Sequence, residues 1–334
     1  MLSDHKGIMN KTISQLQSYE FNKLSKFITY IIDKNPFDPD DEKQKYLSWV
    51  EQCCINFPIL YLASIYLYIY AKNKGCNTFL FASRDCCLFY KVFKCMFPHI
   101  NSHYFNCSRN MFEVAITNKN KAFKNYVESL VTDIDKTIFI DIHGTGQRMI
   151  SYFEKEFKKV PYCFLLSARF SNYDKFPKMI QRYIDKDRLV TLVFNAHGSP
   201  IEMLNYDTVG TLQNYDEDDG PIRDKLEYDI NLIKPYHECI EYATKHMKAL
   251  NHSEITNRYK LDVVQKLIKK IFHDILSDLP VIAKNFHHIG RHAKKGNSTP
   301  LKYTKRVPVD NSKVKVNDQG FRIIRRTDAK AIRH

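Results

Sequence analysis

Four polar clusters in this sequence stand directly behind short apolar runs, and their residue types are those that bind or transfer charged groups. Ser83-Arg84-Asp85 follows 78–82 (TFLFA), and Ser108-Arg109-Asn110 follows 103–107 (HYFNC). Asp141 closes 137–142 (TIFIDI) and is followed by His143-Gly144-Thr145-Gly146-Gln147. Asn195, His197, Gly198 and Ser199 close or follow 189–195 (LVTLVFN). An arginine beside an aspartate can hold an anion bidentately while the carboxylate works as acid, base or metal ligand. The same Arg84-Asp85 pair also suits a structural ion pair with Asp85 as helix N-cap. Arg109 carries both readings as well. Two glycines around a threonine at a strand-to-helix turn can aim backbone amides and the Thr145 hydroxyl at a phosphate. Such a turn is also a common way out of a sheet.

Asp141 suits ribose hydroxyls or Mg²⁺, and is the candidate metal ligand. His143 and His197 can serve as bases, or as loop histidines with ordinary hydrogen bonds. Asp85, Asp141 and His197 are therefore the catalytic candidates. Ser83, Arg84, Arg109, His143, Gly144, Thr145, Gly146, Gln147 and Ser199 are the phosphate-binding candidates. The turn is neither a Walker A loop nor a dinucleotide fingerprint, since no Gly-Lys-Ser/Thr follows and the third glycine is missing. Residues 132–137 (TDIDKT) match an Asp-x-Asp-x-Thr phosphatase motif, but they precede an apolar run where that motif must follow one, so they are set aside.

These clusters need a scaffold that brings them together. Five short β-branched or aromatic runs (the four above and 162–167, YCFLLS) alternate with helical patterns such as LFYKVFKCMF and QRMISYFEKEFKK. That alternation implies right-handed crossovers and a doubly wound, mainly parallel five-stranded sheet, Rossmann-like or phosphoribosyltransferase-like. Ligands bind outside the carboxyl ends of such strands, where the clusters would converge. Residues 1–45 read as an N-terminal helical segment, ending in the turn-rich NPFDPDDEKQ. Residues 46–220 read as the α/β core, 221–279 as a helical cap and 280–334 as a basic tail.

Hydrophobic residues at 44% of 334 suffice for a packed core, and charged residues at 26% fit a globular chain. The net charge of +14 is concentrated at the end: from Lys284 onward stand eight lysines and six arginines against three aspartates. Such a tail can contact nucleic acid, anionic lipid or an acidic protein, or simply be solvated. The nine cysteines contain no Cys-x-x-Cys pair, so neither a zinc ribbon nor a thioredoxin-type site is signalled. Most lie in apolar runs as buried thiols, and without a leader pattern the expected setting is reducing, intracellular and soluble. The apolar run 57–71 (FPILYLASIYLYIYA) is shorter than the roughly 20 residues a bilayer span needs and reads as a core helix.

Residues 61–93, "YFNCSRN", "IFIDIHGTGQRM" and "FNAHGSPIEMLNYD" together resemble a domain of polysaccharide-biosynthesis proteins, often catalogued beside haloacid-dehalogenase-like hydrolases. That domain shows Ser-Arg-Asp-Gly after one strand, Ser-Arg after a second, an Asp-x-Gly-x-x-Gly loop and a late His-Gly-Ser. The resemblance spans about residues 46–215, with Cys86 and His143 standing where the family has glycine. The layout also resembles type I phosphoribosyltransferases. That resemblance implies that Asp141 holds the ribose hydroxyls, that 143–147 hold the 5′-phosphate, and that 83–85 face pyrophosphate. The family has two adjacent acids at the third strand, whereas here Ile140 occupies the first position. With one acid and not two before the glycines, the expectation is binding, ahead of group transfer, of a phosphorylated sugar or nucleotide such as phosphoribosyl pyrophosphate, with Mg²⁺. The alternatives are a nucleic-acid or protein interaction factor using the tail 291–334, and a dehalogenase-like phosphohydrolase.

Overall fold

Residues 2–169, 177–195, 200–218, 220–226, 229–250 and 260–274 are described by the computed structural model. The first helices are α1 (Leu2–Ser18), α2 (Asn22–Asp33), α3 (Lys43–Glu51) and α4 (Phe57–Asn73). Next come β1 (Thr78–Ala82), α5 (Cys87–Met96), β2 (Asn101–Phe105), α6 (Arg109–Asn118) and α7 (Lys121–Leu130). They are followed by β3 (Thr137–Gly144), α8 (Gln147–Phe157), β4 (Tyr162–Arg169), α9 (Lys178–Asp185) and β5 (Leu189–Asn195). The five strands form one sheet in the order β2-β1-β3-β4-β5, and every neighbouring pair is parallel. The fold is thus α/β with a Rossmann-like layout, as the alternation of runs implied.

Two boundaries differ from expectation. β2 starts at Asn101, two residues before the apolar run expected at 103–107. β3 runs on to Gly144, because His143 and Gly144 still pair with Ser167 and Ala168 of β4. In-register pairing outlasts the apolar run, since polar side chains are tolerated at strand ends.

The register assigns the faces. Phe79 and Phe81 pack on Phe93 of α5, and Phe164 packs on Tyr66 of α4. Phe139 lies level with Leu80, on the alternate face, and meets Phe112 of α6, which meets Tyr152 of α8. Side chains alternate along a strand, so Phe139, Asp141 and His143 share the α6/α8 face. Helices therefore flank the sheet on both sides.

The helix Lys43–Asn73 is continuous, with one π-helical turn at Gln52–Asn56 between α3 and α4. Its length and apolarity would allow a membrane crossing, but its most apolar window is 89% buried inside the fold. It is a core helix. The remaining elements are α10 (Pro200–Met203), β6 (Leu212–Asp216), β7 (Gly220–Arg223), α11 (Ile230–His246) and α12 (Leu261–Asp274). The antiparallel β6–β7 hairpin was not among the expected elements, although Asp-Gly at 219–220 is hairpin chemistry and Gly220 has φ +71°. At the β5 edge, the Gln265 amide of α12 donates to the carbonyls of Thr191 (3.3 Å) and Leu192 (3.4 Å). One buried apolar cluster takes in side chains from Leu16 to Phe272. All nine cysteines are free, and all but Cys95 are buried. The basic tail lies outside the described residues.

Candidate functional site

The chain leaves β1 for the sheet edge at β2 and then crosses back to β3 on the other side of β1. Loops after β1 and β3 therefore depart in opposite directions, which opens a crevice at the carboxyl ends of these strands. Asp85 and Asp141 stand at its two sides.

Ser83 stitches the β1 and β2 loops together. Its backbone N–H donates to the Phe105 carbonyl (2.9 Å), its hydroxyl donates to the Cys107 carbonyl (2.9 Å), and it accepts from the Cys107 N–H (3.2 Å). Its hydroxyl is therefore largely committed to the scaffold. The Arg84 carbonyl accepts from the Tyr104 hydroxyl at 3.3 Å, and the Ser83–Arg84 peptide is cis. Arg109 is the first residue of α6, behind Ser108, whose hydroxyl caps the helix by accepting from the Met111 N–H (2.9 Å). Arg109 is exposed, and no ion pair joins Arg84 or Arg109 to another side chain among the described residues.

Asp141 is half-buried, and its pKa is pushed up to about 7, first by burial and next by the neighbouring Asp85. The backbone amides of Ile142 and His143 oppose the rise, as does the Arg109 guanidinium. A third acid joins them. Glu202 of α10 hydrogen-bonds Asp85, and its pKa is raised well above the usual range by burial, then by Asp85 and Asp141, with Arg109 opposing. Asp85 behind β1, Asp141 in β3 and Glu202 in α10 thus lie within electrostatic reach of one another and of Arg109. Carboxyls so close cannot all ionise at neutral pH, so the group retains protons. Behind Asp141 lie the buried thiols Cys86, Cys107 and Cys163, each pushed well up by burial and then by the Asp141 charge. None is a thiolate nucleophile at neutral pH.

The Gly-Thr-Gly turn lies against the same acid. A Cβ on Gly144 would stand 3.3 Å from the Asp141 Oδ2, and one on Gly146 would stand 3.2 Å from the Cys163 sulfur. Gly146 also adopts φ +68° as the N-cap of α8, a conformation that glycine takes without strain. The Gln147 N–H donates to the Thr145 hydroxyl at 3.3 Å. With β3 extended, the turn narrows to Thr145 and Gly146. His143 belongs to the sheet, buried, with its Nδ1 3.1 Å from the Ser167 hydroxyl. It therefore occupies a strand position facing Ser167, where a loop position was expected.

Asp85, Asp141 and Arg109 are thus brought together, with Thr145, Gly146 and Gln147 beside Asp141. His197 and Ser199 lie outside the described residues. Glu202 was not among the sequence candidates. Its signal was the Ser-Pro-Ile-Glu stretch, where proline at the first helical position starts a new turn behind β5. Glu202 stands seven positions past the end of β5.

Among the described residues no three His, Cys, Asp or Glu side chains form a group able to hold a metal ion. Asp85 and Glu202 are bonded to each other, which leaves Asp141 as the carboxylate open to a Mg²⁺ carried by phosphates. Magnesium ions bind in that way, with one or two carboxylates and several waters. No protein-family model matches this chain, and no curated protein matches it in sequence.

Proposed function

We propose that this protein binds a phosphorylated sugar or nucleotide, represented by phosphoribosyl pyrophosphate, at the carboxyl ends of β1 and β3, as the donor in a group transfer. The observation that carries this reading is the meeting of Asp85, Asp141 and Glu202 near Arg109 at the point where the strand order reverses. Carboxyls accept hydrogen bonds from the vicinal hydroxyls of a ribose, and Asp141 is the acid nearest the glycine turn. Thr145 and Gly146, at the N-terminus of α8, offer amides and the Thr145 hydroxyl to the sugar phosphate. Arg84 and Arg109, at the ends of β1 and β2, supply the cations for pyrophosphate.

In the transfer, the bond from C1 to the pyrophosphate oxygen breaks and pyrophosphate leaves with its electron pair. The acceptor's lone pair forms the new bond at C1, and its proton passes to Asp141, which is about half ionised near neutral pH. A Mg²⁺ arriving with the phosphates would neutralise charge on the leaving group. The resemblance to type I phosphoribosyltransferases supports the same assignment. Isothermal calorimetry with phosphoribosyl pyrophosphate and Mg²⁺ tests it. Saturable heat is expected from the full chain, weakened at least tenfold by Asp141→Ala. Absence of heat, or heat unchanged by the substitution, overturns it.

A further inference from the structure

We infer that the buried Asn56–Asn205 amide pair is a positioning device that sets Glu202 against Asp85, so that a turn of the core helix builds part of the ligand site. The inference rests on the proposed reading of that site for its purpose, though not for its geometry. α10 has only four residues and cannot hold itself as an isolated helix. Asn205 supplies what it lacks. Its backbone N–H donates to the Glu202 carbonyl at 3.1 Å, and its side-chain amide donates to the Ile201 carbonyl at 2.7 Å. The residue that terminates α10 therefore grips the carbonyl of Glu202 itself.

Asn205 is in turn bolted to the core. Its amide and that of Asn56 bond reciprocally, at 3.1 and 3.0 Å, and Asn56 also donates to the Leu204 carbonyl at 3.2 Å. Both asparagines are fully buried. A buried amide left unpartnered is costly, so this pairing admits one arrangement of the segment and penalises others. Asn56 is the last residue of the π-helical turn, and such turns are frequent at functional sites. The π turn presents Asn56, Asn56 holds Asn205, Asn205 holds α10, and α10 delivers Glu202 to Asp85. The Asn56–Asn205 link is tertiary, since the two residues stand 149 positions apart.

The test uses the full chain and reads the Glu202 carboxyl directly, by carbon-13 NMR across a pH titration. Wild type is expected to titrate well above an ordinary glutamate. Asn205→Ala and Asn56→Ala are each expected to return Glu202 toward the usual value of about 4.3. The double variant Asn56→Leu/Asn205→Leu leaves neither asparagine as a lone buried amide and so guards against simple unfolding. It is expected to show the same return, with its circular dichroism unchanged. A folded variant in which Glu202 still titrates as in wild type overturns the inference, because a merely structural pair would lower stability without moving that carboxyl. If wild type binds no phosphoribosyl pyrophosphate, the functional reading falls, while the Glu202 titration still decides the positioning role.

Discussion

The acid at the end of β3 makes the clearest residue-scale prediction. Asp141 keeps its proton to about pH 7 in the fold, against 3.8 for the ordinary side chain. Between those values the folded state binds the extra proton, so its contribution to stability falls as pH rises from about 4 to 7. Asp141→Asn removes that loss. The variant is expected to match wild type near pH 4 and to exceed it by about 2–4 kcal/mol at pH 8, measured by urea unfolding. An equal difference at both pH values would show that Asp141 is not held protonated. The candidates legible at this scale were Asp85, Arg109 and Asp141, because each stands late in an apolar run or just behind one. Glu202 lay outside the candidates because it stands seven positions beyond the last residue of β5. His143 stands in β3 and not in a loop, because strand pairing continues past the apolar residues.

At the scale of elements, the start of α8 is set by Gly146. An alanine there would carry φ +68° and press its Cβ on the Cys163 sulfur. Gly146→Ala is expected to destabilise by about 1–2 kcal/mol in chemical denaturation and to weaken phosphoribosyl pyrophosphate binding. Unchanged stability would mean that the turn relaxes easily. Ser108 is a second test, since its hydroxyl caps α6 and also donates to the Leu212 carbonyl of β6 at 2.6 Å. Ser108→Ala should cost about 1–2 kcal/mol; a cost near zero would place both bonds among the dispensable ones. The five strands could be read from the sequence because buried parallel strands are continuous apolar runs. The β6–β7 hairpin could not, since LQNYD and GPIR are short, polar and only partly buried, and β6 rests on α6 and α7, which lie far from it in sequence.

Across the whole molecule, the first and last described helices close on one another. The Gln15 amide donates to the Asp274 carboxylate at 3.0 Å, and α12 buries Val264, Leu267, Ile268, Ile271 and Phe272. Each such side chain contributes about 1.5–3 kcal/mol by burial, so together they rival the total stability of an ordinary domain. A chain ending at residue 250 is therefore expected to lose cooperative thermal unfolding, and a preserved transition would contradict the single shared core. This closure was not readable in advance, because amphipathic periodicity shows that a helix has a buried face without showing against what. The site is equally a property of the whole, since its three acids come from the β1 end, β3 and α10, far apart in sequence. Its most direct test is a crystal structure of the full chain with phosphoribosyl pyrophosphate and Mg²⁺. The expected result is ligand density at the carboxyl ends of β1 and β3, with ribose against Asp141 and a phosphate at Thr145–Gln147. Density elsewhere, such as on the α9 surface beside Lys178, Arg182 and Lys186, would contradict the assignment.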